Sequence, residues 1–242
     1  MKTRTGVFLL TSLVFTSCFF DFGDRDIFGC ITAQGDYIEQ DLNLDDFDRI
    51  QLSIDAEVIV EQGDEQSVVV EAYESVVDNL NTDIRNGEWN IRLDHCARNI
   101  KDVVIRITVP RLDAVKVSGS GSVYSTNTFS ASGMDIDISG SGKVDMAINV
   151  LSLDGQISGS GDLVLEGSAE NVDYRISGSG KYHGFNLDTK NTSMDISGSG
   201  DAEVLVSELL EVRISGSGDI FYKGNPQLDV RTSGSGRVID AN

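Results

Sequence analysis

The sequence predicts an all-β chain wound as a single-stranded parallel β-helix, a β-solenoid with coils of about 18–21 residues and a more irregular N-terminal β part. Three observations carry this. Ser-Gly-Ser-Gly is written seven times, beginning at Ser118, Ser139, Ser158, Ser177, Ser197, Ser215 and Ser233, at spacings of 21, 19, 19, 20, 18 and 18 residues. Self-similarity at such a period marks a stacked repeat architecture. Each unit also alternates: between Met134 and Met146, apolar residues stand at 134, 136, 138, 144 and 146 with polar ones between them. That is the period of an extended segment with one buried and one wet face. Finally, the units agree column by column. Val117, Ile138, Ile157, Ile176, Ile196, Ile214 and Thr232 precede the phrase, and Val123, Val144, Leu163, Tyr182, Ala202, Ile220 and Val238 stand two after it. An antiparallel sandwich also suits short, evenly spaced strands, but columns in register favour coils that supply each other's walls.

Within each phrase the glycines, such as Gly140 and Gly142, fall in phase with the buried side, where a bend leaves no space for a side chain. The serines fall on the wet side as a repeat-ladder surface: Ser118 and Ser120, Ser139 and Ser141, Ser158 and Ser160, Ser177 and Ser179, Ser197 and Ser199, Ser215 and Ser217, Ser233 and Ser235. Lys143, Asp162, Lys181 and Asp201 alternate in sign along an outward column, as parallel in-register neighbours ~4.8 Å apart favour; Asp219 breaks the alternation.

Residues 1–17 read as a leader. Lys2 and Arg4 precede the apolar run Gly6–Phe15, which is too short to span a bilayer. Thr16-Ser17 before Cys18 resembles the cleavage box of bacterial lipoproteins, which implies that Cys18 becomes the lipidated first residue. Phe19 in place of aspartate implies an outer-membrane address by the same resemblance. Losing Lys2 and Arg4 takes the formal charge from −20 to −22. Such a chain repels phosphate backbones, which excludes nucleic acid as the expected partner. It also repels anionic lipid surfaces, so membrane attachment has to come through the anchor. Cys30 and Cys96 remain, and an even pair in an oxidising compartment points to a disulfide, with two separately buried thiols as the alternative.

Residues 18–34 are expected to be the lipidated cysteine and its tether, and 35–242 a single domain. Strands are expected over Ile50–Ile54, Ala56–Gln62 and Ser67–Ala72, followed by a short helical turn within Glu74–Leu80. Asn86-Gly87 signals a hairpin joining Thr82–Arg85 to Trp89–Leu93. Val103–Val109 is a further strand, stopped by Pro110. This part is expected to begin the same stack with irregular coils and to close its end.

The order Phe47-Asp-Arg-Ile50, Gln62-Gly-Asp64, Asn86-Gly87 and Val109-Pro-Arg-Leu112 running into Val117-Ser-Gly-Ser-Gly121 resembles the putative auto-transporter adhesin head (GIN) domain family of Bacteroidetes lipoproteins. The resemblance covers about residues 35–240. It implies an exported β-helical domain and brings no catalytic residue set with it.

Searching for chemistry returns little. His95 and His183 are the two histidines, 88 residues apart, and neither they nor the cysteines have zinc-ligand spacing. Gly-x-Gly runs never open a helix, so phosphate cradling is not supported. Asp135, Asp154, Asp173, Glu211 and Asp229 share one column, a row of acids that reads as an exposed turn or a cleft. A β-helix acting on carbohydrate would need carboxylates converging in a groove, and Trp89, as the one tryptophan, argues against an aromatic sugar-stacking platform and leaves room for a single sugar contact. The expectation is therefore a lipid-anchored, non-enzymatic interaction module without cofactor or metal, located at the outer membrane. Its expected partner is a glycan or a surface protein. A carbohydrate-active enzyme and a purely structural envelope protein are the alternatives.

Overall fold

The computed structural model describes residues 30–98 and 100–242. The expected leader, Cys18 and the tether as far as residue 29 lie outside these. The chain is nearly all-β and forms a parallel solenoid of about 7 turns, ~19 residues each, with an irregular N-terminal β part.

In chain order, that N-terminal part contains β1 (Ile31–Thr32), β2 (Tyr37–Leu42), β3 (Arg49–Leu52), β4 (Glu57–Gln62), β5 (Ser67–Tyr73) and α1 (Glu74–Val77). There follow β6 (Ile84–Arg85), β7 (Glu88–Ile91), β8 (Ala97–Arg98) and β9 (Val104–Val109). The repeats form β10 (Ala114–Gly119), β11 (Ser122–Gly140), β12 (Lys143–Gly159), β13 (Asp162–Gly178), β14 (Lys181–Gly198) and β15 (Asp201–Gly216). The rod finishes with β16 (Ile220–Lys223), β17 (Gln227–Gly234) and β18 (Val238–Asp240).

Successive repeats stack in parallel, and the columns read from sequence are the observed register. Val117 stands beside Ile138, then Ile157, Ile176, Ile196, Ile214 and Thr232. The alternation explains the burial: Ile136, Ile138, Val144 and Ile157 are fully enclosed, each contributing ~1.5–3 kcal/mol by leaving water. Column size is balanced between coils. Tyr174 stacks on Gly155, which stacks on Ile136. A side chain at 155 would collide with the Tyr174 ring, and across that gap the phenol donates a 2.8 Å hydrogen bond to the Ile136 carbonyl. Tyr182 is likewise followed by the small Ala202.

The two glycines of each phrase serve different ends, which the alternation alone does not distinguish. The first, as at Gly140, is half-buried and bends the chain with φ near +122°, a conformation in which a side chain would crowd its own backbone. The second, as at Gly200, is buried; a Cβ there would lie 2.5 Å from the Gly180 carbonyl oxygen and 2.6 Å from Ile176 Cγ2.

The N-terminal part departs from expectation in its order. β3 lies between β7 and β10, and β4 lies between β9 and β11, all in parallel. The chain thus lays down one coil, moves outward past the end of the rod, builds the terminal layer, and returns to stack β10 on the first coil. Beyond these irregular coils the end is closed, as expected, by antiparallel pairing, β9 with β5 and β5 with β2. The Asn86-Gly87 hairpin joins β6 to β7, with both turn residues at positive φ. Trp89 is fully buried in this layer; its indole N–H donates to the Asn81 carbonyl at 2.9 Å and its ring packs 5.7 Å from Phe47. Cys30 and Cys96 form a disulfide that ties β1 beside β8.

At the other end, β17 pairs with β15 along one edge and β18 stacks on β16. Every residue of β17 is exposed.

Candidate functional site

Three features run along the rod parallel to its axis, because any position repeated in each coil becomes a row. The first is the Ser-Gly-Ser-Gly corner. Backbone bonds hold it: Ser141 N–H donates to Gly119 O at 2.9 Å, and Ser160, Ser179, Ser199 and Ser217 repeat the bond to the preceding coil at 2.8 Å each. The bent glycine and this ladder fix the direction of both serine side chains. All of the repeat serines point outward, with Ser118 and Ser158 partly covered and the others exposed. Ser118 Oγ accepts a long 3.4 Å bond from Gln51; the other thirteen hydroxyls have no partner among the described residues. Beyond Ser118 the corner is a double row of unengaged hydroxyls repeating at the coil spacing of ~4.8 Å.

The second feature is the charged columns beside it. Asp195 lies between Arg175, at 3.8 Å, and Arg213, at 3.5 Å, in adjacent coils. The break at Asp201 and Asp219 has a cause: Asp201 accepts the Asp219 backbone N–H at 2.9 Å, and Asp219 pairs with Arg237 at 2.5 Å. Bonding to Arg237 holds the Asp219 carboxyl below its usual range. The acidic column stacks as expected, with Ser193 interrupting Asp135, Asp154 and Asp173 before Glu211 and Asp229. A shallow hollow of about 250 Å³ lies over Asp135, Asp137, Asp154 and Arg175. Burial, and then the Asp135 charge, raise Asp137; burial, Asp135 and Asp173 raise Asp154. Among the described residues, no three His, Cys, Asp or Glu side chains are grouped to hold a metal ion.

The third feature was not legible from the repeats. A groove of about 800 Å³ crosses the coils at another corner. Its floor is the column Ala131, Val150, Ala169, Thr189 and Val206, and the exposed Leu151 and the Glu170–Lys190 ion pair, 2.6 Å apart, stand at its rim. Alternation places these positions inside, but it does not show that the wall opens there.

The histidines are each held by one neighbour, His95 by Asn79 at 2.7 Å and His183 by Glu203 at 3.1 Å. Trp89 is 0% exposed, which removes it as a sugar-stacking surface: the closed end of the rod needs its ring inside.

No curated protein matches this chain. Several solved structures share the fold. A putative adhesin from Bacteroides fragilis is 24% identical, covering 86% of this chain and 99% of that one, with a TM-score of 0.82. A putative lipid binding protein from Parabacteroides distasonis is 22% identical over 87% and 99%, with a TM-score of 0.72. A putative adhesin from the same organism is 21% identical over 86% and 98%, with a TM-score of 0.73. Residues 46–226, most of the chain, match the family model described as "Putative auto-transporter adhesin, head GIN domain", and the chain belongs to that family.

Proposed function

We propose that this protein is a non-enzymatic, adhesin-like display module of the cell envelope, tethered at the outer membrane through lipid on Cys18. It contacts polyhydroxylated glycan chains, or a surface protein carrying them, along the Ser-Gly-Ser-Gly corner. The observation that carries the reading is the double row of serine hydroxyls left without internal partners. A hydroxyl both donates and accepts, so a row of them suits a polymer that also repeats hydroxyls. Each bond to a water-exposed group is weak, and affinity would come from many made at once. Membership of an adhesin-like family supports the role.

The test is glycan-array and whole-cell binding with a version beginning at Phe19. Saturable binding that falls when Ser160, Ser179 and Ser199 are changed together to Ala supports the reading. Binding unchanged by that triple substitution, or no binding, overturns it. Loss of fatty-acid label in Cys18→Ser cells tests the anchor.

A second reading rests on the groove. Its size is in the range of small-molecule sites and its floor is largely apolar. One relative of the same fold is named for lipid binding. Fluorescent fatty-acid displacement, abolished by Ala169→Trp in the floor, would favour this reading over the serine corner.

A further inference from the structure

We infer that β17 is the contact through which two copies of this protein pair, antiparallel and centred on Val230. The strand is the exposed edge of a parallel sheet. Leu228 continues the column of Leu210, Val230 that of Val212, and Thr232 that of Ile214. The three β15 residues are buried, whereas Leu228 is 43% and Val230 40% exposed. No described strand lies along the other edge of β17.

The hydrogen-bonding phase restricts what fits. In a parallel ladder the N–H and C=O of one residue face the same neighbour, and the direction alternates along the strand. Ser235 donates its N–H to Gly216 O. By that alternation, Asp229, Arg231 and Ser233 also face β15, and Leu228, Val230 and Thr232 present their backbone groups at the open edge. A partner strand must offer donors and acceptors at the same alternate positions. A second β17 running the opposite way does so when Val230 meets Val230 of its copy and Leu228 meets Thr232.

Charge selects this register among the neighbouring ones. Centred on Val230, Asp229 of each copy stands opposite Arg231 of the other, on both sides of the two-fold axis. Centred on residue 229 or 231, Asp229 would face Asp229, or Arg231 would face Arg231. Opposite charges directly across an antiparallel pair stabilise, and like charges oppose pairing. The contact is isologous, so it closes after two copies and does not run on into a fibre. Because β18 adds a strand above β16 on the other wall only, the two rods meet at an angle.

The experiment uses the full chain with Cys18→Ser, in mild detergent, leaving the Cys30–Cys96 disulfide in place. Multi-angle light scattering at micromolar concentration should give the mass of a dimer. Val230→Cys should form a self-linked dimer on mild oxidation, since Cα atoms of such a hydrogen-bonded pair lie ~5.5 Å apart, within disulfide reach. Asp229→Cys should not link to itself but should link to Arg231→Cys when the two are mixed. Asp229→Arg should weaken the dimer about tenfold, and adding Arg231→Asp to it should restore pairing. A monomer at all concentrations overturns the inference. So does a dimer that ignores the charge reversal, or one that cross-links through Asp229→Cys alone.

Discussion

The coils from Ala114 onward and the closed end built from residues 30–112 are held together by different means. In the coils, each residue's neighbour above and below is the same position of another repeat, so one small set of choices is used again and again. Beyond β3 and β4, which stack on β10 and β11, the closed end has no such repeat neighbour. Side chains there are fitted individually: Gln66 Nε2 donates to the carbonyls of Leu44 and Asp45, Gln62 Nε2 to that of Pro110, and the Trp89 indole to that of Asn81. A disulfide joins a strand pair of two residues each. Repetition spreads stability evenly, whereas an end concentrates it in a few groups. Substitutions should therefore act locally at the end and through neighbouring coils in the stack.

The sharpest test of that contrast is Trp89→Ala, expected to cost ~3–5 kcal/mol. Hydrogen exchange should show lost protection over residues 47–112 while Lys181–Gly216 stays protected. Uniform loss along the rod would mean that the two regions form one cooperative unit. Cys30→Ser with Cys96→Ser should remove ~2–4 kcal/mol, read as a lower urea midpoint with proteolysis confined to residues 30–46. Gly200→Ala, in the middle of the stack, should cost ~1–3 kcal/mol by forcing the coils at Gly180 and Gly200 apart, with protection lost on both sides of the site. Tyr174→Phe should cost ~1 kcal/mol, because it removes the buried hydrogen bond from the phenol to the Ile136 carbonyl.

The smallest effect is a pH dependence. Asp137 has a raised folded-state pKa, chiefly from burial and then from the Asp135 charge. The folded chain therefore holds this proton more tightly than the unfolded one. Its ionisation opposes folding at neutral pH, and stability recovers as pH falls through the raised value toward the ordinary carboxylate range near ~3.9. Asp137→Asn should raise the melting temperature slightly at neutral pH and remove that recovery. Asp219 carries the opposite sign: its contribution is present above the ordinary carboxylate value and fades as pH falls through the lowered one. A pH profile of Asp137→Asn parallel to that of the parent would show that the acidic row carries no strain.

The stack was legible because each column is written seven times. Register, inward and outward faces, and the outward direction of the serines all follow from position within the phrase. The separate purposes of Gly140 and Gly142 did not follow, since alternation reports a face and not a dihedral angle. The closed end was legible only in pieces. The strand of Val103–Val109, the helical turn and the Asn86-Gly87 hairpin are local signals, but the placing of β3 and β4 between later strands depends on pairings between residues from 39 to 65 positions apart. No periodicity records those. The groove was hidden for a related reason: Ala131, Val150 and Ala169 look like core, and the opening of the wall there depends on how the corner turns.

The out-of-order coil has a consequence for how the chain is made. Emerging from its N-terminus, the stretch Arg49–Gln62 arrives before all of its parallel partners, which are β7 and β9 on one side and β10 and β11 on the other. One long edge of Val58-Ile-Val60 and Ile50 therefore stays bare until 39 to 47 further residues have been delivered, and the other until 65 have. During biogenesis this segment is the one most in need of shielding, and in the finished molecule it becomes the keystone on which the serial coils rest.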